Sequence, residues 1–412
     1  MTPIVSDQVV RPPAAGLKGW LMQKALTAAP AAFAILRRMR PILRIGSTYI
    51  VSRYDDVVEV FETDTAFSVP YKANLDVITG NQPFFLGLQD GPDYRAALTA
   101  MQRVVKRDDL TALAAKAATL AQAAVAACDG RIDVVADLVR PATFRLFSDY
   151  LGVPEPATGR LDVWATRLFE FQFASSPSDL ALRAEVDAIA PALRAHIDAE
   201  MARRKTSGSP SDDVLGRCLA AQAQGVPGYS DAEIRTGILC MIIGGPPQPP
   251  MVVPQAMEQL LRRPKALQAA IKAAQTDNDA SLALTLREAM RFDPLAPGLP
   301  RMVVQDAILA QGTRRETSMP KGSTVIAAFA SAMMDDRRIP NPTAFDATRR
   351  PHEYILFGHG LHECFGRHIN AAILHQFLKP LLQQPNLRRE DGPEGSLTKS
   401  GIFADRLVVR FG

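Results

Sequence analysis

The sequence has 412 residues, and its 47% hydrophobic and 22% charged content is ordinary for a globular protein with a sizeable core. The formal net charge of +4, from 47 basic and 43 acidic residues, is too small to predict nucleic-acid binding, although a local basic patch could still dock an acidic partner. The four cysteines form no C-x-x-C pair: Cys128, Cys218, Cys240 and Cys364. This spacing argues against a disulfide framework and a zinc ribbon, and favours a reducing cytoplasm.

The first 45 residues are predicted to form a loose segment followed by a helix. The apolar stretch Ala25 to Leu36 is interrupted by Pro30 and followed by Arg37 and Arg38. It is too short to span a bilayer and is not placed like a signal peptide. We expect a surface or partly buried helix and no transmembrane segment, with peripheral membrane contact as the less favoured alternative.

After residue 45 the predicted secondary structure is first a mixture of strand, helix and loop, and then mostly helix. Tyr49–Val51 predicts a strand and Asp55–Glu62 a helix, whereas residues 70–93, rich in Gly, Pro and aromatics, predict a loop that borders a ligand pocket. Residues 94–286 are helical almost throughout, including the alanine-rich stretch 110–128, with a surface loop at 207–210.

From Pro297 to Phe357 the helical period fails, and short β-like runs such as 302–304 and 324–326 replace it. A last helix is predicted over residues 366–384. The whole is a mainly α protein with a small β-rich portion and no obvious linker, so residues 1–412 are expected to form a single domain.

The strongest chemical signal is the segment Phe357-Gly-His-Gly-Leu-His-Glu-Cys-Phe-Gly366. Cys364 lies just before the predicted last helix, where the helix dipole lowers a thiol's pKa and so favours a metal-binding thiolate. Gly358, Gly360 and Gly366 would let the main chain pass close to a flat cofactor, and Phe357 would shield the sulfur from water.

This segment resembles the cysteine-ligand loop of the cytochrome P450 family, F-x-x-G-x-x-x-C-x-G, at every fixed position. The resemblance implies that Cys364 is the axial iron ligand of haem b, iron protoporphyrin IX. It also implies that Phe357, Gly358 and Gly366 line the cofactor. An inert buried cysteine and a zinc site, suggested by the nearby histidines, are the alternatives, although the spacing matches no common zinc pattern.

Further segments extend the resemblance. Glu288 and Arg291 match the family's E-x-x-R, and the piece Phe345 to Arg349 resembles F-x-P-x-R with Ala347 at the usual proline. The resemblance implies that Glu288, Arg291 and Arg349 form a structural ion-pair triad.

The same resemblance implies that Arg301 and His362 bind haem propionates. At the start of the third helix of the family, Tyr94 stands where histidine is usual and Leu98 where arginine is usual, which places two propionate contacts in doubt. The Tyr94 hydroxyl could still donate a hydrogen bond to the cofactor.

The helix that should cross the oxygen-binding face departs from the family. It begins with a capping box, Ser230 to Glu233, but its centre reads Gly244-Gly-Pro-Pro-Gln-Pro-Pro250 instead of A/G-G-x-D/E-T. Pro247 and Gln248 replace the acid and the alcohol that deliver protons for O–O cleavage. The four prolines predict a broken helix whose freed carbonyls must bind water, Gln248 or a ligand.

The resemblance therefore implies a mainly α cytochrome P450 fold, a helical bundle with a small β-rich lobe. Haem would lie between the distal helix and the cysteine loop, with Gly245 and Gln248 as further catalytic candidates. A lipophilic small-molecule substrate is implied. The missing acid–alcohol pair is compatible with peroxide-driven oxidation or hydroperoxide rearrangement, and equally with ordered water in place of the proton relay. The alternatives are a dioxygen-dependent monooxygenase fed by a ferredoxin, for which Arg367 and His368 give a weak docking signal, and a non-catalytic haem protein.

Overall fold

The computed structural model describes residues 5, 7–12, 16–174, 178–208 and 211–412, and the side chains of residues 16–27 are not described. Within these ranges the α-helices are α1 Gly16–Met39, α2 Tyr54–Glu62, α3 Lys72–Thr79, α4 Pro92–Val104, α5 Leu110–Ala126, α6 Arg140–Leu151, α7 Leu161–Phe173, α8 Leu180–Ser207, α9 Val214–Ala223, α10 Asp231–Gly244, α11 Pro249–Leu261, α12 Pro264–Gln275, α13 Asp279–Phe292, α14 Phe329–Ala332 and α15 Arg367–Leu382. The strands are β1 Ile42–Ile45, β2 Thr48–Val51, β3 Phe67–Ser68, β4 Arg131–Asp133, β5 Leu299–Val303, β6 Ala307–Leu309, β7 Thr317–Met319, β8 Thr324–Ala327, β9 Arg388–Arg389, β10 Thr398–Ser400, β11 Phe403–Arg406 and β12 Val408–Arg410.

The main sheet joins distant parts of the chain. Its strand order is β1-β2-β8-β5-β3, with β2 parallel to β8 and the other neighbours antiparallel. Tyr49 pairs with Val325, and Arg301 also pairs with Val325 from the other side of β8. One buried apolar cluster surrounds this sheet, and a larger one fills the helical part, where α5 packs along α15 and α11 along α13.

A buried ion-pair network fixes α13 to the segment that precedes the cysteine loop. Glu288 binds Arg291 through two hydrogen bonds of 2.8 and 2.9 Å, and both side chains are fully buried. Arg349 reaches Glu288 at 3.3 Å, and the Tyr354 hydroxyl donates to the same carboxylate at 3.0 Å. The predicted structural triad is therefore confirmed.

Several predicted elements differ from the structure. The segment 70–93 is not a continuous loop, because α3 forms within it and ends where Gly80 takes a left-handed conformation, φ 69°. The helical stretch after residue 94 is interrupted by β4, which pairs with β12, and by a π-helix over Val134–Val139. The predicted N-terminal helix is present as α1, which continues through Pro30.

The other predicted elements are close to those observed. The last helix runs from Arg367 to Leu382, and the strands near 49, 302 and 324 are present. Helix α8 ends at Ser207 with left-handed Gly208, φ 63°, while Ser209 and Pro210 of the predicted loop lie outside the described residues. No helix of the described chain is long and apolar enough to cross a bilayer.

Candidate active site

The cysteine loop is a tight turn whose main chain is hydrogen-bonded across its own base. The Cys364 amide donates to the Phe357 carbonyl at 2.8 Å, and the Glu363 amide donates to Gly360 at 3.0 Å. Gly358 and Gly360 both have positive φ, 74° and 73°, a conformation that disfavours other residues. At Gly360 a Cβ atom would also lie 2.4 Å from the Phe61 carbonyl oxygen, so α2 leaves no room for a side chain there.

The Cys364 sulfur faces main-chain N–H groups at the start of α15. The amides of Gly366 and Arg367 donate toward it and lower its pKa, but burial has the larger effect and raises the pKa of the thiol to about 11. The N–H groups at the helix start thus lower the pKa as expected, but in the polypeptide by itself desolvation outweighs them. A bound metal cation reverses this balance, since it deprotonates a coordinating thiol.

Arg301 and His362 bring buried hydrogen-bonding groups together beside the loop. Arg301 is only 4% exposed, donates to the Pro300 carbonyl at 3.0 Å and lies 4.8 Å from the centre of the Phe61 ring. Burial lowers its pKa, which a hydrogen bond with Tyr71 partly opposes. Among the described residues no carboxylate pairs with this guanidinium.

The imidazole of His362 has an unsatisfied nitrogen. Its Nε2 is buried and has no hydrogen-bond partner among the described residues. Burial, together with the smaller effect of the nearby charge of Arg301, lowers the pKa of His362 to about 4. A buried arginine without a carboxylate and a buried unpartnered imidazole together fit the acidic groups of a cofactor.

The Tyr94 side chain contacts the cysteine loop. Its hydroxyl donates to the Leu361 carbonyl at 2.6 Å, and its ring lies edge-on to His362 at 5.7 Å. Phe85 packs between Tyr94 and Phe365, with ring centres 6.3 and 5.5 Å away. The structure therefore gives the hydroxyl a main-chain acceptor in the cysteine loop, a contact that the sequence did not indicate.

The distal helix is broken as predicted. Helix α10 ends at Gly244, and α11 begins at Pro249 with Pro250 next, where a missing N–H costs nothing. The Gln248 side-chain amide donates to the Gly244 carbonyl, which confirms that glutamine binds one of the freed carbonyls.

The two glycines at the break differ in their surroundings. A Cβ on Gly245 would lie 2.8 Å from the Phe147 ring and 2.9 Å from the Met241 carbonyl oxygen, so packing against α6 explains why this position lacks a side chain. Gly244 is exposed, and a Cβ there would meet open space. Open space therefore borders Gly244, whereas Gly245, the catalytic candidate of the sequence analysis, is packed against Phe147.

The histidines of the loop lie in separate environments. His359 Nε2 lies 2.9 Å from Glu62, and His368 accepts a hydrogen bond from Arg367, which also pairs with Glu363. Within the described ranges no group of three His, Cys, Asp or Glu side chains is arranged to hold a metal ion. These contacts disfavour the zinc alternative.

The fold and this site define a haem-thiolate protein. Comparison with known proteins agrees, because the family model for cytochrome P450 matches residues 182–405. The chain belongs to the cytochrome P450 family, with its mainly α fold, its oxidoreductase activity and its haem, which the family holds through a cysteine thiolate.

Individual relatives are distant. Cyclomarin C epoxidase CymV from Salinispora arenicola (strain CNS-205) is 25% identical over 342 residues, which cover 80% of this chain and 82% of that protein. Vitamin D(3) 25-hydroxylase from Pseudonocardia autotrophica is 22% identical and covers 81% of each chain. The crystal structure of P450BioI with a fatty-acid-ligated acyl carrier protein superposes with a TM-score of 0.80 at 19% identity, over 95% of this chain and 100% of that chain.

Proposed function

We propose that this enzyme oxidises a lipophilic small molecule with a peroxide or an organic hydroperoxide as its oxidant. The observation that carries the proposal concerns the hydrogen-bonding groups at the break between α10 and α11. Gln248, at the position of the family's alcohol, donates its amide to the Gly244 carbonyl, and Pro246 and Pro247 have no N–H at all.

Three side chains in and beside the cysteine loop would hold the cofactor. Cys364 would be the iron ligand, with the Gly366 and Arg367 amides directed at its sulfur, and Arg301 and His362 would hold the propionates. Phe357 and Gly358 form the wall of the loop, and Gly366 allows close approach beside Cys364. Tyr94 positions the loop through Leu361. Bound by a thiolate, haem supplies cleavage of an O–O bond and transfer of oxygen.

The residues at the break after α10 are the reason for proposing a peroxide as the oxidant. Activation of dioxygen requires protons delivered at the distal face, and neither proline nor an amide tied to a carbonyl can supply one at neutral pH. A peroxide is dioxygen that is already reduced by two electrons and protonated or alkylated, so forming it needs neither an electron donor nor the proton relay. The position of Gln248 thus supports a peroxide-type reaction.

The second candidate is a dioxygen-dependent monooxygenase that receives electrons from a ferredoxin. It is favoured by the relatives named as an epoxidase and a hydroxylase. The carbonyls of Ile242 and Ile243 also favour the monooxygenase. Their helical partners would be the N–H groups four positions later, but Pro246 and Pro247 stand there and have no N–H to donate. Water held by these carbonyls would replace the missing relay.

The test uses purified, haem-loaded enzyme without a reductase. A fatty-acid hydroperoxide, and separately hydrogen peroxide with a fatty acid, are added, and consumption and products are followed. Turnover that is lost in Cys364→Ser supports the peroxide reaction. Turnover only with NAD(P)H, a ferredoxin and its reductase contradicts it and supports the monooxygenase, and no turnover with either system indicates a non-catalytic haem protein.

The predicted single domain over residues 1–412 is supported by strand pairing across the chain. Residues 48–51 pair with 324–327, and 131–133 pair with 408–410. Limited proteolysis that released a stable fragment would contradict this proposal.

A further inference from the structure

The outward face of α1 carries no polar side chain over most of its described length. From residue 28 to residue 36 the sequence is Ala-Ala-Pro-Ala-Ala-Phe-Ala-Ile-Leu, and the exposed positions are 28, 30, 31, 32, 34 and 35. Ile35 is 59% exposed and Met39, one turn later, is 78% exposed. A helix face directed at water is normally polar, so this one is suited to a different environment.

The β1–β2 hairpin, which follows α1 directly in the chain, also presents an exposed apolar residue. Ile45, at its tip, is 61% exposed, and a Cβ on the following Gly46 would meet no atom within 4 Å. The hairpin is fixed to the end of α1, since the Ser52 amide donates to Pro41 and the Arg53 guanidinium donates to the Arg37 carbonyl. Ile35 and Met39 on α1 and Ile45 on the hairpin are therefore exposed apolar residues on adjoining elements.

Arginines surround these apolar residues. Arg38, Arg40 and Arg44 are exposed. Arg38 has a weak surface contact of 3.6 Å with Asp336, whereas Arg40 and Arg44 have no carboxylate partner among the described residues. We call Ile35, Met39, Arg40, Arg44 and Ile45 the N-terminal surface.

The charge of this part of the chain is strongly uneven. Residues 8–54 contain no aspartate or glutamate, while they contain eight basic residues: Arg11, Lys18, Lys24, Arg37, Arg38, Arg40, Arg44 and Arg53. The rest of the chain must balance this excess, because the net charge of the whole protein is only +4. A local positive charge beside exposed apolar side chains matches the surface of an anionic lipid bilayer.

We propose that the N-terminal surface binds the enzyme peripherally to anionic membranes. The apolar tips of Ile35, Met39 and Ile45 enter the headgroup region, and Arg40 and Arg44 lie at the level of the lipid phosphates. A lipid surface is favoured over a protein partner because the apolar residues are exposed on a helix and at a hairpin tip. Protein interfaces instead bury such residues in complementary pockets. This proposal does not depend on which oxidant the enzyme uses.

The experiment measures co-sedimentation of the full-length, haem-loaded protein with lipid vesicles. One set of vesicles contains phosphatidylglycerol and phosphatidylcholine, and the other contains phosphatidylcholine alone. We expect binding to the anionic vesicles that weakens with added salt and is much smaller with neutral vesicles. The absence of binding to anionic vesicles at low salt would overturn the proposal.

Matched variants test which residues are responsible. Met39→Asp should reduce binding on the order of tenfold, whereas Leu284→Asp, at another exposed apolar residue on α13, should leave it unchanged. Arg40→Glu with Arg44→Glu should abolish the preference for anionic lipid, and Arg145→Glu with Arg183→Glu, which changes the net charge equally, should not. Haem content and circular dichroism show whether each variant is folded.

Two further outcomes would contradict the proposal. Equal loss in the test and control variants would mean that net charge alone causes binding. Dimers detected by light scattering without lipid, and dissociated by Met39→Asp, would mean that the surface joins two copies of this chain.

Discussion

Gln248 closes the break in the distal helix by donating its side-chain amide to the main-chain carbonyl of Gly244. The carbonyl loses its normal helical partner because the Gln248 amide N–H donates instead to Gly245, at 3.3 Å. Gln248 stands at the position of the family's catalytic alcohol, but its side chain caps the C-terminal end of α10.

Gln248→Leu keeps the approximate volume and removes the donor. The Gly244 carbonyl then lacks a partner, so we expect the free energy of unfolding to fall by about 1 kcal/mol. Urea denaturation followed by circular dichroism measures this change. Gln224→Leu is the control, because Gln224 is exposed and its side chain makes no hydrogen bond within the described structure. Equal effects of the two substitutions would show that the Gly244 contact contributes nothing.

Gly360→Ala tests the close approach between the cysteine loop and α2. Gly312 has the same φ of 73° but faces open space, so Gly312→Ala measures the conformational cost alone, about 1–2 kcal/mol. Gly360→Ala adds a clash with the Phe61 carbonyl and should cost roughly 1–3 kcal/mol more. Urea denaturation and the haem content of the purified protein measure the effect. If both variants lost the same stability and kept full haem, the contact with α2 would not constrain the loop.

Tyr94→Phe removes the hydrogen bond to Leu361. Tyr229 provides a matched control, because its hydroxyl also donates to a main-chain carbonyl at 2.6 Å, that of Ala100, away from the cysteine loop. Both substitutions should cost about 1 kcal/mol of stability. Only Tyr94→Phe should accelerate transfer of haem to apomyoglobin, and identical transfer rates would contradict a positioning role for Tyr94.

His375, buried on α15, should make stability depend on pH. Burial lowers its pKa below the ordinary 6.5, with Asp279 opposing and Lys379 adding to the effect. The unfolded chain therefore takes up a proton below pH 6.5 that the folded protein does not, and stability falls as the pH decreases from 6.5 toward the lower folded pKa. His375→Gln should reduce this loss between pH 7.5 and 5.5 by up to about 1 kcal/mol.

Urea unfolding at several pH values measures the slope for His375→Gln. The exposed His352 provides the control, since His352→Gln should keep the wild-type slope. If the stability of His375→Gln depended on pH as steeply as that of the wild type, His375 would not be a source of this pH dependence.

The cysteine loop could be predicted because its information is local. Residues 357–366 carry the glycines, the cysteine and the start of a helix at fixed spacing, and the four prolines after Gly245 break a helix in any context. The helix α3 was missed for the opposite reason. Its last turn is contacted by Arg194 of α8, whose guanidinium donates to the Ile78 carbonyl at 2.6 Å, a contact that no local pattern contains.

The sequence by itself determined the cysteine segment and the broken distal helix, because each depends on residue types at short, fixed spacing. The buried triad was implied only by the resemblance to the family, since Arg349 lies 61 positions from Glu288. Only the tertiary structure decided the pKa shifts of the site residues and the side chains and carbonyls that they contact. It showed that burial outweighs the helix N–H groups at Cys364, that Tyr94 contacts Leu361, and that Arg301 and His362 converge without a carboxylate. Desolvation and long-range contacts depend on which segments pack together, and that information is spread over the whole chain.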